Sequence, residues 1–195
     1  GGLPVAYRAA VPAWEEFAAA VGGHDVRLVL EPGRALVAEA GMLRTSVLRV
    51  SRRPGVDHRR WVYLDAGRYQ GLAETENEAI DYPLRVPGRD GPAGPVVIAG
   101  PTCDGDDVLY RRTPYALPLS LRAGDHVDLL HAGAYTASYA SVGFNGFAAR
   151  APRPATALTT SCATSRSSRR RADSNEVARG GPRSCARGGA YIATS

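Results

Sequence analysis

The chain contains no lysine, because all 24 of its basic residues are arginine. A guanidinium group stays protonated and is a poor amine nucleophile, so this chain alone cannot perform chemistry that needs a lysine amine. Its three cysteines are too few and too scattered for a disulfide framework or a zinc site. No apolar run reaches the roughly 18 residues of a membrane span, and no signal peptide is recognisable, so we expect a cytoplasmic protein.

Positive charge is unevenly distributed along the chain. Residues 1–147 carry 15 Arg and 17 acidic residues, whereas residues 148–195 carry 9 Arg and 2 acidic residues. The second segment is rich in Arg, Ala, Ser and Gly and lacks periodicity, which predicts a disordered basic tail or a non-native one, such as an out-of-frame reading. The sequence SRSSRRR at 165–171 leaves an RNA-binding arm open, but the body gives no reason to expect nucleic acid.

The first 46 residues have an α/β pattern. A helix is predicted over residues 12–21, with proline in its first turn and two glycines after it. The nearly continuous apolar run at 26–30 predicts a strand buried on both faces, and residues 35–47 are rich in helix formers. Short β-prone segments alternating with Gly and Pro turns then predict a mainly antiparallel β-barrel domain over residues 47–147.

Four glycine-containing turns carry polar or reactive side chains: EPGR at 31–34, GPTCDGDD at 100–107, GAYT at 133–136 and FNGF at 144–147. EPGR follows a predicted strand, where α/β folds bind ligands, although a surface Glu–Arg pair is an alternative. The three Asp residues of GPTCDGDD lack the spacing and closing Glu of a calcium loop, so we expect no metal site. A buried apolar cysteine, a half-buried tyrosine and a plain hairpin turn remain alternatives for the other motifs.

Together with GGLP at 1–4, these motifs, in this order, resemble the C-terminal part of the fold-type III pyridoxal-phosphate decarboxylases. That family acts on ornithine, diaminopimelate and arginine, and the resemblance covers residues 1–147. Cys103-Asp104 and the GAYT and FNGF motifs are most similar to ornithine decarboxylase. The resemblance implies that residues 1–46 end an alanine-racemase-like β/α barrel, and that the cofactor is pyridoxal 5′-phosphate.

The resemblance also implies a role for each matching residue. Gly2, Gly33, Arg34 and Tyr135 would hold the cofactor phosphate, Glu31 would pair with the pyridinium nitrogen, and Pro32 would fix the turn between them. Cys103 would be the catalytic proton donor. Asp104, Phe144 and, through a looser match, Asp81 would contact an ornithine-like substrate.

In the family, the site lies between the subunits of a homodimer, and the lysine that binds the cofactor belongs to the N-terminal barrel half. The chain as given is therefore expected to be inactive alone and to fold poorly, because a partial barrel leaves strand edges unpaired. The alternative is a non-catalytic homologue, a regulatory module that pairs with a full-length subunit.

Overall fold

A curled sheet forms most of the computed structural model, which describes residues 2–23, 25–55, 57–148, 152–154 and 191–194. Two α-helices precede it, α1 (Trp14–Val21) and α2 (Arg34–Val37). The strands are β1 (Gly41–Arg53), β2 (Asp57–Leu64), β3 (Leu84–Arg85), β4 (Ala93–Ala99), β5 (Val108–Pro118), β6 (His126–Leu129), β7 (Pro152–Pro154) and β8 (Tyr191–Thr194). Short 3₁₀ segments lie at Arg68–Gln70, Ala73–Glu78, Ala137–Tyr139 and Phe144–Gly146, and the second of them is kinked at Glu76.

The helix predicted near the N-terminus is confirmed as α1. The Glu16 carboxylate accepts a hydrogen bond of 3.0 Å from the Ala13 N–H, which satisfies a donor that the first turn leaves free. The helix ends at Gly22, as the sequence predicts. No residue of α1 is buried, so the helix gains little stability from packing within the described part of the chain.

The strand predicted at 26–30 is wrong. These residues form no regular structure, and Val29 is 75% exposed. A strand that is buried on both faces needs neighbouring strands and covering helices, and the described residues supply none for this segment.

The segment 35–47, which is rich in helix formers, is mostly not helical. Helix α2 is only one turn long, and β1 begins at Gly41 and continues through residue 47 without a break. In β1, buried and partly buried positions alternate over residues 41–45, a period-2 pattern that outweighs the helix propensity of single residues.

The predicted β domain is observed as a curled, mainly antiparallel sheet with the strand order β3-β6-β1-β2-β4-β5. Strand β1 pairs antiparallel with both β2 and β6, and β3 with β6, whereas β2 and β4 are parallel. The parallel pair makes the sheet mixed, and its connection carries the loops that reach the candidate site.

The core lies inside the curl of this sheet. Buried side chains from β1, β2, β4, β5 and β6 pack together with Leu72 and Tyr82 from the segments between strands, and the largest are Tyr82, Tyr110, Leu43, Leu64, Leu72, Ile98, Leu109 and Leu129. Trp61 forms a separate, smaller cluster with Val97 and Ala99. Burying each large apolar side chain contributes roughly 1.5–3 kcal/mol to the free energy of folding, so this core stabilises the sheet.

One buried carboxylate joins three strands at the edge of the sheet. Asp128 on β6 is completely buried and accepts two hydrogen bonds, of 2.7 and 2.9 Å, from Arg44 on β1. It accepts another, of 2.8 Å, from Arg85 on β3. Although burial acts in the opposite direction, these two guanidinium groups lower the pKa of Asp128.

Two short segments of the predicted tail form strands. Strand β8, at 191–194, pairs antiparallel with Gly41–Arg44 of β1, and β7, at 152–154, pairs parallel with β8. The open edge of β1 provides unpaired backbone groups, which explains how short segments of a biased sequence form strands there. The remainder of the predicted tail, including Cys162 and Cys185, lies outside the described residues.

Candidate functional site

Two turns are brought together where β1 begins. The Ala132 N–H donates to the Gly41 carbonyl at 2.8 Å, and the Gly133 N–H donates to the Ala38 carbonyl at 2.9 Å. A Cβ atom on Gly133 would overlap the carbonyl oxygen of Val37, so a side chain cannot be accommodated there. This close crossing places the GAYT turn against the end of α2, the helix that begins at the arginine of EPGR.

A cavity of about 540 Å³ opens beside this crossing. Its volume falls within the range of about 300–1,000 Å³ that is typical of small-molecule sites. It is lined by Gly2, Leu3, Pro4, Val5, Tyr7, Glu31, Gly33, Arg34, Glu74, Ile80, Tyr135 and Tyr139. The cavity therefore combines backbone from the N-terminus, two carboxylates, a guanidinium and three phenols.

Arg34 is held by three hydrogen bonds at the cavity wall. Its Nη1 donates to Glu74 Oε2 at 2.9 Å and to the Tyr7 hydroxyl at 2.8 Å, and its Nη2 donates to Glu74 Oε1 at 2.6 Å. The hydrogen bonds to Glu74 are the main cause of a raised pKa of Arg34, so this group is a permanent cation.

Tyr135 covers the other side of Arg34. The guanidinium carbon lies 5.0 Å from the centre of the Tyr135 ring, within the range of a cation–π contact. A Cβ atom on Gly33 would lie 3.1 Å from the Tyr135 hydroxyl oxygen, so the glycine allows this hydroxyl to approach the backbone. Tyr135 itself has a φ of +55°, a strained value that is typical of functional sites.

Tyrosines also form the inner wall of the cavity. The Tyr7 ring meets the buried Tyr82 ring edge-on, with ring centres 5.4 Å apart. Burial is the main cause of the raised pKa of both phenols. Both groups therefore stay neutral at physiological pH.

The segment that contains Ile80 is held against β5 by two further tyrosines. The Tyr110 hydroxyl donates to the Ile80 carbonyl at 2.8 Å and accepts from the Tyr82 N–H at 3.1 Å. The Tyr115 hydroxyl donates to the Tyr82 carbonyl at 2.8 Å. The sheet thus fixes the wall of the cavity through side-chain bonds to backbone.

The structure therefore gathers five of the six residues predicted for cofactor binding. Those five are Gly2, Glu31, Gly33, Arg34 and Tyr135. Pro32 does not line the cavity, although it lies in the same turn between Glu31 and Gly33. The glycine backbone, the guanidinium and the phenol fit a phosphate group, and a carboxylate on the same wall fits a protonated ring nitrogen.

A buried carboxylate shapes the loop that contains Cys103. Asp107 Oδ2 accepts hydrogen bonds from the Thr102 hydroxyl at 2.7 Å and the Thr102 N–H at 3.0 Å. Its Oδ1 accepts from the Arg68 N–H at 2.8 Å. With this carboxylate inside the loop, Cys103 lies exposed at the surface, so the alternative of a buried apolar cysteine is wrong.

Tyr69 brings two of the predicted substrate residues near each other. Its ring stacks on Phe144 with ring centres 3.9 Å apart. Burial and then the negative charges of Asp104 and Asp106 raise the pKa of Tyr69, which places these carboxylates close to the same phenol. Asp104 also accepts a hydrogen bond of 2.8 Å from the Asp106 N–H. Asp104 and Phe144 thus flank Tyr69.

Asp81 belongs to neither group. It does not line the cavity, and its charge acts on Tyr115, whose pKa is raised to about 12 mainly by burial. FNGF forms a tight turn in which the Phe147 N–H donates to the Phe144 carbonyl at 3.1 Å. Within the described residues no strands flank this turn, so the hairpin alternative is not realised.

The described residues contain no cluster of three or more His, Cys, Asp or Glu side chains that could hold a metal ion. In the same part of the chain, no helix has the length and apolar character that crossing a membrane requires.

Four residues of these groups were not identified from the sequence. Tyr7 and Glu74 bind Arg34, Tyr69 stacks on Phe144, and Asp107 shapes the Cys103 loop. Asp107 had a signal, since a third acidic residue in a glycine turn often accepts backbone N–H groups. Nothing local distinguishes Glu74 from the other acids of its segment.

The chemistry of this cavity, on a mainly antiparallel sheet, fits a ligand that carries a phosphate and a protonated ring nitrogen. Residues 20–133 match the family described as "Pyridoxal-dependent decarboxylase, C-terminal sheet domain". The chain belongs to this family of ornithine, diaminopimelate and arginine decarboxylases, whose members are pyridoxal-dependent lyases.

Relatives and solved structures agree with this assignment. The chain is 37% identical over 123 residues to a lysine/ornithine decarboxylase of Selenomonas ruminantium, which covers 63% of this chain and 29% of that protein. It is 35% identical over 130 residues to diaminopimelate decarboxylase of Escherichia coli K12, covering 61% of this chain and 30% of that protein.

Among solved structures, a lysine/ornithine decarboxylase of Vibrio vulnificus complexed with cadaverine superposes with a TM-score of 0.62 at 33% identity. The match covers 75% of this chain and 40% of that one. The chain thus spans less than half the length of each of these proteins.

Proposed function

We propose that this chain supplies part of the cofactor and substrate site of a pyridoxal-phosphate-dependent decarboxylase that converts a basic amino acid, ornithine in the first place, to a diamine. The cavity that gathers Gly2, Glu31, Gly33, Arg34 and Tyr135 carries this proposal. Family membership and a lysine/ornithine decarboxylase among the relatives support it.

The cofactor residues act by binding and orientation. Arg34, the Tyr135 hydroxyl and the backbone of Gly2 and Gly33 hold the phosphate, because a cation and several donors suit a dianion. Glu31 would pair with the ring nitrogen and keep it protonated, and Pro32 fixes the turn. When bound, the cofactor withdraws electrons from the carbon that loses carbon dioxide.

The substrate residues lie on the exposed loop and the FNGF turn. Cys103 donates a proton to the carbon from which carbon dioxide has departed. Asp104 pairs with the distal ammonium of the substrate, and Phe144 packs against its carbon chain. Asp81 is a second acid for the ammonium, and it lies outside the lining of the cavity.

The site needs a second contribution, because a chain without lysine cannot anchor the cofactor covalently. We propose a homodimer in which Cys103 and Asp104 face the substrate of the neighbouring subunit. We also propose that the residues preceding β1 belong to a β/α barrel, and that a further segment, which carries the lysine, supplies the rest of that barrel. The same absence of lysine favours the second candidate, a regulatory module that pairs with a full-length subunit.

Fusion to a lysine-bearing barrel half tests the proposal. We expect the chain alone to release no carbon dioxide, and the fusion to the N-terminal barrel of the Selenomonas relative to decarboxylate ornithine faster than diaminopimelate. Radiolabelled carbon dioxide measures this rate. A fusion that binds the cofactor but acts on neither substrate, nor on lysine, would favour the regulatory module instead.

Two substitutions in the fusion separate the roles on the exposed loop. We expect Cys103→Ala to lower kcat and Asp104→Ala mainly to raise KM for ornithine. Asp106→Ala is the matched control, because this exposed carboxylate lies two residues from Asp104. An unchanged KM in Asp104→Ala would exclude the ammonium role.

A further inference from the structure

The bonds around Arg34 use one end of its guanidinium group. Both terminal nitrogens are engaged, by the two Glu74 oxygens at 2.9 and 2.6 Å and by the Tyr7 hydroxyl at 2.8 Å. Arginine has five N–H groups in a plane, and these three bonds occupy three of them. In the described part of the chain, the Nε–H and the second Nη2–H form no further hydrogen bond.

The remaining two N–H groups lie side by side on one edge of the guanidinium plane. Such an edge forms two parallel bonds to a phosphate or carboxylate. Arg34 can therefore bind an anion in the cavity through its Nε–Nη2 edge while Glu74 and Tyr7 hold its Nη1–Nη2 end. The two contacts do not compete for the same hydrogens.

Glu74 is itself held by its surroundings. Its carbonyl accepts the Ile80 N–H at 3.1 Å, and its neighbour Thr75 is fully buried, with its hydroxyl donating to the Leu72 carbonyl at 2.7 Å. The side chains of Arg34 and Glu74 are 20% and 19% exposed. A partly buried, bidentate pair on a fixed backbone restricts the arginine far more than a surface ion pair would.

We propose that Glu74, assisted by Tyr7, is a positioning residue that holds the Arg34 guanidinium with its Nε–Nη2 edge available to the phosphate of the cofactor. This inference rests on the proposed phosphate site. Glu74 lines the same cavity, but in this role it acts through Arg34 and not through a bond of its own to the phosphate. Its effect comes from removing the conformational freedom of Arg34 before the phosphate arrives, so that binding does not have to order this side chain.

The sign of one measurement distinguishes positioning from competition. A carboxylate that merely occupied the arginine would weaken phosphate binding, so its removal would strengthen it. Positioning requires the opposite. We expect Glu74→Ala to weaken binding of pyridoxal 5′-phosphate and of inorganic phosphate by about 2- to 12-fold, the range that corresponds to immobilising one long side chain.

The experiment is isothermal titration of the 195-residue chain with each of the two probes. Tyr7→Phe, which removes one hydroxyl, should weaken binding less than Glu74→Ala, and Glu74→Asp should restore part of the loss. Glu76→Ala, an exposed acid of the same segment, is the control and should bind like the unchanged chain. The ¹⁵Nε–¹H signal of Arg34, assigned with Arg34→Lys, should broaden or exchange faster in Glu74→Ala even without a probe.

Arg34→Met separates the two levels of the proposal. If Arg34→Met binds the probes as the unchanged chain does, or if the unchanged chain binds neither, the phosphate site and the positioning role both fail. If Arg34→Met loses binding but Glu74→Ala and Tyr7→Phe bind equally well or more tightly, the site stands and the positioning role is overturned.

Discussion

At the scale of single residues, Glu78 shows how backbone strain and charge are combined. Its φ is +60°, in a region that non-glycine residues rarely adopt. Its carboxylate accepts the N–H groups of Arg111, Arg112 and Thr113, at 3.0, 2.9 and 2.6 Å. These bonds hold the turn after Ala73–Glu78 against β5 and offset the strain.

The same bonds predict a pH dependence. Burial opposes ionisation, but the hydrogen bonds to Arg112, Thr113 and Arg111 lower the pKa of Glu78 from 4.5 to about 2. Because the folded pKa is depressed, the stabilisation is fully present above about pH 4.5 and is lost as the pH falls towards 2. We expect Glu78→Gln to remove about 2 kcal/mol of the difference in unfolding free energy between pH 7 and pH 3.

Urea denaturation at pH 7, 5, 4 and 3 measures this effect. Glu76→Gln is the matched control, because Glu76 is exposed and lies in the same turn. Equal slopes of stability against pH in the unchanged chain and in Glu78→Gln would show that these backbone bonds do not stabilise the fold.

The grouping of site residues was predictable where glycine turns carry reactive groups, and much less so elsewhere. The sequence predicted Glu31, Gly33, Arg34 and Tyr135 as one site, and the structure places them on one cavity. Glu74 could not be predicted, because its partner Arg34 is 40 positions away in the sequence and only the fold brings them together.

At the scale of elements, the loop 100–107 depends on space left by two glycines. A Cβ atom on Gly100 would overlap both carboxylate oxygens of Asp107, and one on Gly67 would overlap Oδ1. The buried carboxylate occupies the space that these side chains would fill. The exposure of Cys103 is therefore set by glycines that do not touch it.

We expect Gly100→Ala to destabilise the chain by about 1–3 kcal/mol through overpacking. Displacing the Asp107 carboxylate should also accelerate hydrogen exchange of its two backbone donors, the N–H groups of Thr102 and Arg68. Gly105→Ala is the control in the same loop, since a Cβ atom there meets nothing within 4 Å. NMR measures the hydrogen-exchange rates of these two N–H groups in both variants. Identical rates in Gly100→Ala and Gly105→Ala would show that Asp107 does not organise the loop.

The elements that failed in prediction are those whose partners are distant. The apolar run 26–30 has the composition of a buried strand, yet composition cannot show whether neighbouring strands exist. Helix α1, whose start and stop signals are local, was predicted to within two residues. The antiparallel sheet was predictable as a class, whereas the parallel pair of β2 and β4 has no local signature.

At the scale of the whole molecule, a row of apolar side chains remains uncovered. Val26, Leu28, Val29 and Leu30 are between 49% and 75% exposed. An apolar row of this kind is unusual for the surface of a monomeric soluble protein and promotes association.

We expect the purified chain to self-associate in a concentration-dependent way through this row. Val29→Asp should weaken the association by about tenfold or more, because an unpaired carboxylate is costly to bury. Val142→Asp is the control, since Val142 is 88% exposed and lies outside the row. Sedimentation velocity measures the association, and an equal effect of both substitutions would point to net charge rather than to this row.

Strand β1 also constrains how the chain matures on the ribosome. Its Leu43 pairs with Leu129, whereas its Val50 pairs with Val62 only a short distance along the chain. One edge of β1 can therefore pair with β2 early in synthesis, whereas the opposite edge can pair only after β6 has left the exit tunnel. During that interval the backbone bonds from Ala132 and Gly133, which hold Tyr135 near Arg34, cannot form. We therefore expect the cavity to be completed only after β6 has paired with β1.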